Sequence, residues 1–176
     1  DWAPDSRVEM FRALRPFQLG AWAVRAFPTP HDAEEPVGFI LEAGGIRVGI
    51  ATDMGEIRQE VVSELSGVHG LVLEFNHDPD MLASGPYPPF LKERIAGPGG
   101  HLSNEEAGGL LGSVAHRGLG AVILAHLSEI NNNPDLARWT AAQHLKGYAT
   151  KLEVASRAQP RVLRIEKEKS SGTSSH

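Results

Sequence analysis

The chain contains no cysteine among its 176 residues. This absence excludes disulfide bonds and thiolate metal ligands, and it is compatible with a reducing cytoplasm. Long hydrophobic runs are also absent, since no apolar stretch reaches the roughly 18 residues of a membrane span. We therefore expect a cytoplasmic protein without a membrane segment, in which any metal must be bound by nitrogen and oxygen ligands.

An excess of positive charge is missing as well, because the formal net charge is -5. Without a global basic field, any contact with nucleic acid requires a local basic patch or a metal ion. Hydrophobic residues make up 41% and charged residues 22%, as in an ordinary globular domain. The polar residues 169–176 are predicted to form a flexible tail.

Short apolar runs alternate with segments of helical spacing along the chain. A hairpin with a glycine turn is predicted around Gly44 and Gly45. The alternation predicts a layered domain of the α/β (α+β) class, without an internal repeat or a domain boundary. Predicted strands lie at 21–27, 37–41, 47–51, 70–75, 119–125 and 162–165. Predicted helices lie at 57–65, 91–95, 103–116 and 133–148.

Polar side chains follow several of these predicted strands at the point where each strand ends. Strand ends on a rigid sheet hold such groups at fixed distances from one another. Histidine and aspartate bind zinc, manganese or iron when thiolates are absent. Their joint occurrence at successive strand ends therefore indicates a metal site. The residues concerned are His31, Asp53, Glu74, Asn76, His77 and His126.

Each of these residues, taken alone, also has an ordinary structural interpretation. A single loop histidine is usually solvated or makes a local hydrogen bond. Asp53 is placed where it could cap the helix that follows, which is a frequent role of aspartate. His101 could be a simple loop residue before a helix that Ser103 caps, with Glu106 completing a capping box.

Three of the segments resemble metal-binding motifs of the metallo-β-lactamase superfamily. The segment 30–39, Pro-His-Asp-Ala-Glu-Glu-Pro-Val-Gly-Phe, is similar to the third motif and contains His31. The segment 51–55, Ala-Thr-Asp-Met-Gly, is similar to the fourth, and the segment 124–128, Leu-Ala-His-Leu-Ser, to the fifth. The segment 100–104, Gly-His-Leu-Ser-Asn, resembles the one whose histidine many phosphodiesterase members use in catalysis.

The finer resemblance is to the YycJ (WalJ) subfamily, over roughly residues 20 to 165. Several segments in the expected order carry it, namely Leu-Glu-Phe-Asn-His-Asp at 73–78, Gly-Pro-Tyr-Pro at 85–88, Leu-Lys-Glu-Arg-Ile at 91–95 and Ala-His-Leu-Ser-Glu-Ile-Asn-Asn at 125–132. The resemblance implies the C-terminal half of an αββα sandwich, with residues 1–168 as the C-terminal portion of one domain. The superfamily's signature His-x-His-x-Asp-His is not in this sequence and is expected upstream of Asp1.

The resemblance also implies roles for single residues. Two divalent ions, zinc or manganese, would share Asp53, which is expected to act in metal binding and in catalysis. His31 would bind one ion and His126 the other, while His101 would be catalytic and not a ligand. Supporting or substrate-contacting roles would belong to Glu74, Asn76, His77 and Ser128. Lys92 and Arg94 could hold phosphates, although a solvated helix face is an equal alternative.

The implied activity is that of a metal-dependent phosphodiesterase, most closely a DNA exonuclease that activates water with its metal ions. One alternative is a hydrolase of the same fold that acts on a small ester, a lactone or a cyclic phosphate. A second alternative is an inactive fragment or interaction module, because part of the ligand set is absent. Half of a sandwich would expose an apolar sheet face, which predicts a homodimer or association with the N-terminal half.

Overall fold

The computed structural model describes residues 10–156, 161–162 and 164–165. Seven strands form one sheet in which the spatial order follows the order in the chain. The strands are β1 (Phe17–Leu19), β2 (Trp22–Pro28), β3 (Val37–Ala43), β4 (Ile46–Ala51), β5 (Gly70–Glu74), β6 (Ala121–Ala125) and β7 (Lys151–Val154). The helices are α1 (Gln59–Leu65), α2 (Pro79–Ser84), α3 (Pro89–Ala96), α4 (Asn104–Val114) and α5 (Pro134–His144).

The direction of the strands decides where the site forms. Strands β1 to β4 pair antiparallel, and β4 to β7 pair parallel. Because β3 runs against both of its neighbours, β2 has the same direction as β4, β5 and β6. The carboxyl ends of these four strands therefore lie at one edge of the sheet, which is the usual place for a site in α/β proteins.

One face of the sheet is covered by helices. Alternate strand residues such as Ile40, Leu73 and Leu124 are buried on this side, as the two-residue period of a strand requires. Helices α1, α4 and α5 supply the facing apolar side chains, including Leu65, Leu110, Leu111 and Ala141. This layer is the hydrophobic core, and it gives the site edge a rigid support.

The other face of the sheet is also apolar but only partly covered. Leu41, Val48, Val72 and Ile123 line an open cleft of about 710 Å³ on this side, together with Val162, Ile165 and others. The register places Leu41 opposite Val48 and Val72 opposite Ile123, so these side chains form continuous rows across the strands. The structure thus contains one sheet with one covered and one open apolar face.

The predicted elements are found with shifted ends, except at the C-terminus. Among the described residues, the last strand is β7, and residues 162, 164 and 165 of the strand predicted at 162–165 have no strand conformation. Ile165 instead lies against the open sheet face at Gly70, while Val162 is 81% exposed at the margin of the cleft. The predicted tail at 169–176 lies outside the described residues, and the domain limits at 1–168 remain a prediction.

Candidate metal centre

Five side chains with metal-binding or acid–base chemistry meet at the carboxyl edge of the sheet. His31 follows β2, Asp53 follows β4, Glu74 ends β5 and His126 follows β6, while His101 comes from the loop before α4. The ring centroids of His31 and His101 are 4.9 Å apart, and those of His101 and His126 are 5.0 Å apart. The structure therefore brings together the three histidines that the motifs single out.

The buried carboxylate of Glu74 connects two of these histidines. Its Oε1 atom accepts hydrogen bonds from Nδ1 of His101 and from Nδ1 of His126, each at 2.8 Å. Its Oε2 atom accepts a hydrogen bond of 2.9 Å from the backbone N–H of Met54. An ionised carboxylate only accepts hydrogen bonds, so each Nδ1 carries a proton and, in a neutral ring, Nε2 carries the lone pair.

The pKa of Glu74 reflects a balance of two effects. Burial of the fully enclosed side chain acts to raise its pKa, since it disfavours the charged form. The hydrogen bonds from His101, His126 and Met54 act in the opposite direction and prevail, so the pKa of Glu74 lies below its ordinary value. Glu74 is therefore ionised and buried beneath the site, where it accepts the hydrogen bonds that orient both imidazoles.

His31 is oriented by a backbone carbonyl. Its Nδ1 atom lies 2.8 Å from the carbonyl oxygen of Gly100, to which it donates, so its Nε2 atom also carries the lone pair in a neutral ring. Gly100 has no room for a side chain, because a Cβ atom there would lie 2.2 Å from the carbonyl oxygens of Arg94 and Ile95. The close packing of this glycine thus fixes the group that positions His31.

Asp53 lies between the two histidines that the motifs assign to different metal ions. Its Oδ1 atom is 3.9 Å from Nε2 of His31 and 3.6 Å from Nε2 of His126. These separations are of the size found between two ligand atoms that bind the same metal ion, each at about 2.0–2.2 Å from it. His31, Asp53 and His101 also offer ligand atoms that are all within 4.8 Å of one another. The donor set and its spacing fit a divalent metal ion.

A second cluster with metal-binding atoms consists of Glu74, His101 and His126. Its atoms are already joined by the two 2.8 Å hydrogen bonds at Glu74, which occupy the Nδ1 side of each ring. We interpret this cluster as the support of the site. The pattern is common in metal centres, where ligating histidines donate their other N–H group to a carboxylate or a carbonyl.

Two of the predicted ligands have an unusual backbone conformation. The φ angle is 60° at Asp53 and 56° at His126, in the left-handed region that non-glycine residues seldom adopt. Such conformations persist where surrounding contacts hold them, and they concentrate at functional sites. At His126 the carbonyl oxygen accepts a hydrogen bond of 3.0 Å from the Asn76 side chain. At Asp53 the next residue, Met54, donates to Glu74.

The other predicted supporting residues lie under or beside the site. Asn76 and Ser128 are joined by a backbone hydrogen bond, in which the N–H group of Ser128 donates to the carbonyl of Asn76 at 2.8 Å. His77 is only 3% exposed, and its backbone carbonyl accepts from Asn104. This burial favours the supporting role over the substrate contact that was the other prediction for His77.

Two buried asparagines belong to this support, and sequence reasoning missed both. The side chains of Asn104 and Asn132 exchange a pair of hydrogen bonds of 2.9 and 3.0 Å. Asn132 also donates to the carbonyls of Phe75 and Asn76, which follow β5. Both lie in segments that carry the resemblance, Asn104 in 100–104 and Asn132 in 125–132, and this position was the available signal.

The two predicted phosphate-binding cations occupy different places. Arg94 is exposed, and its Nε–H group donates a hydrogen bond of 2.7 Å to the carboxylate of Asp32. Asp32 follows His31 in the chain, so Arg94 lies at the rim of the site. This contact lowers the pKa of the Asp32 carboxyl. Lys92 is directed away from the metal ligands, because its ammonium group donates to the carbonyl of Ala83 in α2 at 2.6 Å.

Comparison with known proteins agrees with the motifs. Exodeoxyribonuclease YycJ of Bacillus anthracis is 34% identical over 128 residues, which are 73% of this chain and 48% of that protein. The solved metallo-β-lactamase fold protein YhfI from Bacillus subtilis has a TM-score of 0.62 at 19% identity, over 82% of this chain and 51% of YhfI. Zn²⁺-bound PqqB from Methylobacterium extorquens has a TM-score of 0.54 at 15% identity, over 84% of this chain and 49% of PqqB. No family model matches the chain.

The fold, the histidine–aspartate edge and these similarities define the class of protein. The chain has the metallo-β-lactamase fold, so the predicted fold class is confirmed. Within the superfamily it belongs to the YycJ (WalJ) subfamily, as the ordered motifs indicated. The chain spans about half the length of the curated relatives that it matches. Within the described part of the chain, no helix is long and apolar enough to cross a membrane.

Proposed function

We propose that this chain supplies part of the metal centre of a phosphodiesterase that degrades DNA from an end. The observation that carries the proposal is the position of Asp53, whose Oδ1 atom lies within 4 Å of Nε2 of both His31 and His126. The relatives named exodeoxyribonuclease support the choice of substrate.

The residues of this chain would hold two divalent ions, zinc or manganese, in an arrangement that the resemblance suggests. Asp53 would be shared, with His31 on one ion and His126 on the other. Bound divalent ions lower the pKa of water and polarise phosphoryl oxygens, which is the chemistry that phosphodiester hydrolysis needs. The remaining ligands are assigned by the resemblance to a His-x-His-x-Asp-His signature that this sequence does not contain.

His101 is suited to proton transfer at the same site. Its Nδ1 proton is held by Glu74, so Nε2 is the atom that would give a proton to the leaving oxygen of the phosphodiester. The ionised Glu74 carboxylate beside Nδ1 would stabilise the positive charge of the imidazole that gives this proton. Arg94, at the rim and in contact with Asp32, would approach a substrate phosphate.

Metal content and nuclease activity of the purified chain test the proposal. After extraction and reloading with Zn²⁺ or Mn²⁺, we expect bound metal and release of nucleotides from the ends of labelled DNA. Asp53→Asn should remove most of the bound metal and the activity, while Asp135→Asn, on the surface of α5, should change neither. A chain that binds less than one ion and releases no nucleotide would refute catalysis by this polypeptide.

Glu74→Gln tests the support of the site. The amide keeps one acceptor oxygen for the two histidines, but its NH₂ group then faces the backbone N–H of Met54, and the negative charge is lost. We expect metal affinity or DNA hydrolysis to fall by about 10–100-fold, the usual effect of losing such a partner. Glu105→Gln, in the exposed first turn of α4, is the matched control. An unchanged affinity and rate in Glu74→Gln would show that this carboxylate does not orient the ligands.

A further inference from the structure

A cavity of about 290 Å³ lies on the His126 side of the metal centre. The rings of His101 and His126 form one wall, and Tyr87 from the loop between α2 and α3 and Ile130 from the loop after β6 also line it. This volume is at the lower limit of small-molecule pockets, which commonly measure about 300–1,000 Å³, so the cavity suits a group of the size of one base and not a duplex. Because His101 and His126 line the cavity, a group bound in it would lie beside the phosphodiester bond of the proposed substrate.

The lining has the chemistry of a base-binding site. None of the described residues that line the cavity is lysine or arginine, and Glu129 contributes a carboxylate. Such a wall disfavours a phosphate group. Tyr87 offers an aromatic ring, Ile130 an apolar side chain that is 47% exposed, and Ser128 a hydroxyl group. Stacking on an aromatic ring with a hydrogen-bonding edge nearby is how proteins hold unpaired bases.

The loop that carries Tyr87 is held in place before any ligand binds. Tyr87 stands between Pro86 and Pro88, whose rings restrict the backbone. Gly85, just before them, packs so closely on Asn131 that a Cβ atom would lie 2.6 Å from its side-chain oxygen. Asn131 is buried and follows Ile130, so this contact joins the two loops that flank the cavity. A rigid aromatic group binds at a low entropic cost.

We propose that this cavity binds the base of the terminal nucleotide, with Tyr87 stacking on its face and Ile130 packing against it. The proposal rests on the function proposed above and names the part of the substrate that this side of the site recognises. The phosphodiester bond would then lie over His101 and His126, and only the unpaired end of a strand could reach the cavity. The cavity would thus bind a single base next to the bond to be cleaved.

Oligonucleotides that differ only in the terminal base provide the test. Binding and initial release rates would be measured with the metal-loaded protein on single-stranded DNA whose last nucleotide either carries thymine or is abasic, at each end in turn. We expect a preference of about tenfold for the base-bearing end, because a base–aromatic stack is worth that much or more. Tyr87→Leu should abolish the preference, and Tyr87→Phe should retain it.

The controls separate the two proposals. Phe90→Leu removes a neighbouring aromatic ring that is 70% exposed and does not line the cavity, so the preference should remain. Equal binding and release of base-bearing and abasic ends by the unaltered protein would overturn the base site while leaving the exonuclease in place. Equal losses on both substrates in Tyr87→Leu would also overturn it, since they indicate a structural role. A base preference in binding without any release would support the site and count against the proposed activity.

Discussion

At the level of single residues, Glu74 links the chemistry of the site to the sheet. Its side chain is fully buried at the end of β5, and it receives hydrogen bonds from two histidines and one backbone N–H group. A buried carboxylate that lacked these partners would be strongly destabilising. The site and the fold therefore depend on the same hydrogen bonds, and a change at Glu74 should affect stability together with metal binding.

His77 is the second buried ionisable residue of this region, and it predicts a pH dependence of stability. Burial lowers the pKa of its imidazole, against the opposing carboxylates of Glu106, Glu74 and Asp78. The unfolded chain therefore takes up a proton at about pH 6.5, where the folded protein does not. The free energy of unfolding should fall as the pH decreases below that value, until the pKa of the folded state is reached.

Urea unfolding of His77→Gln between about pH 7.5 and 5 checks this prediction. Its stability relative to the unaltered protein should improve as the pH falls, because the variant lacks the proton uptake of the unfolded state. His144→Gln, the same substitution at an exposed position of α5, is the control. Parallel stability curves for His77→Gln and the unaltered protein would contradict the assignment.

At the level of secondary structure, helix α4 begins as its sequence predicts. Ser103 caps the helix, its hydroxyl accepts a hydrogen bond from the backbone N–H of Glu106, and the Glu106 carboxylate accepts from the backbone N–H of Ser103. This capping box fixes the turn that follows His101. One local motif therefore sets both the start of helix α4 and the position of His101, the catalytic candidate.

Ser103→Ala should lower the free energy of unfolding by about 1 kcal/mol, the usual cost of losing an N-cap. Ser113→Ala, near the exposed end of the same helix, should change it by less than about 0.5 kcal/mol, as surface substitutions do. Chemical denaturation of both variants gives the comparison. Equal effects of the two substitutions would show that the capping box does not contribute to stability.

Most elements were predicted because their periodicity is strong, and the missed ones are short. Strands β2 to β6 and helices α1, α3, α4 and α5 were all predicted, with ends that shifted by a few residues. Strands β1 and β7 have three and four residues, too few for a period to show. Helix α2 has six residues, although Asp78 as N-cap and Pro79 in the first turn were readable signals.

At the level of the whole molecule, the open apolar face predicts association. Val72 and Ile123 are opposite each other in register on that face, and both are only partly buried. An apolar sheet face of this kind usually marks an interaction surface. We expect the chain to form dimers or larger species by itself, or to bind the N-terminal half that the resemblance assigns to the fold.

Substitution on the two faces of the sheet tests this expectation. Val72→Thr with Ile123→Thr should shift light scattering towards the monomer, since both changes make the open face more polar and keep a strand-favouring residue. Val122→Thr, whose side chain is fully buried on the helix side, should leave association unchanged and lower the free energy of unfolding by about 1–3 kcal/mol. A monomeric unaltered chain would contradict self-association through this face.

Local motifs and periodicity in the sequence were enough to predict the family and most of the strands and helices, and the motifs proposed His31, Asp53, His101 and His126 as site residues. How these side chains meet depends on the three-dimensional fold. The sharing of one Glu74 oxygen by His101 and His126 depends on residues 27 and 52 positions away along the chain. No local pattern encodes such distances, since they follow from the parallel register of β5 and β6 and from the loops that this register brings together.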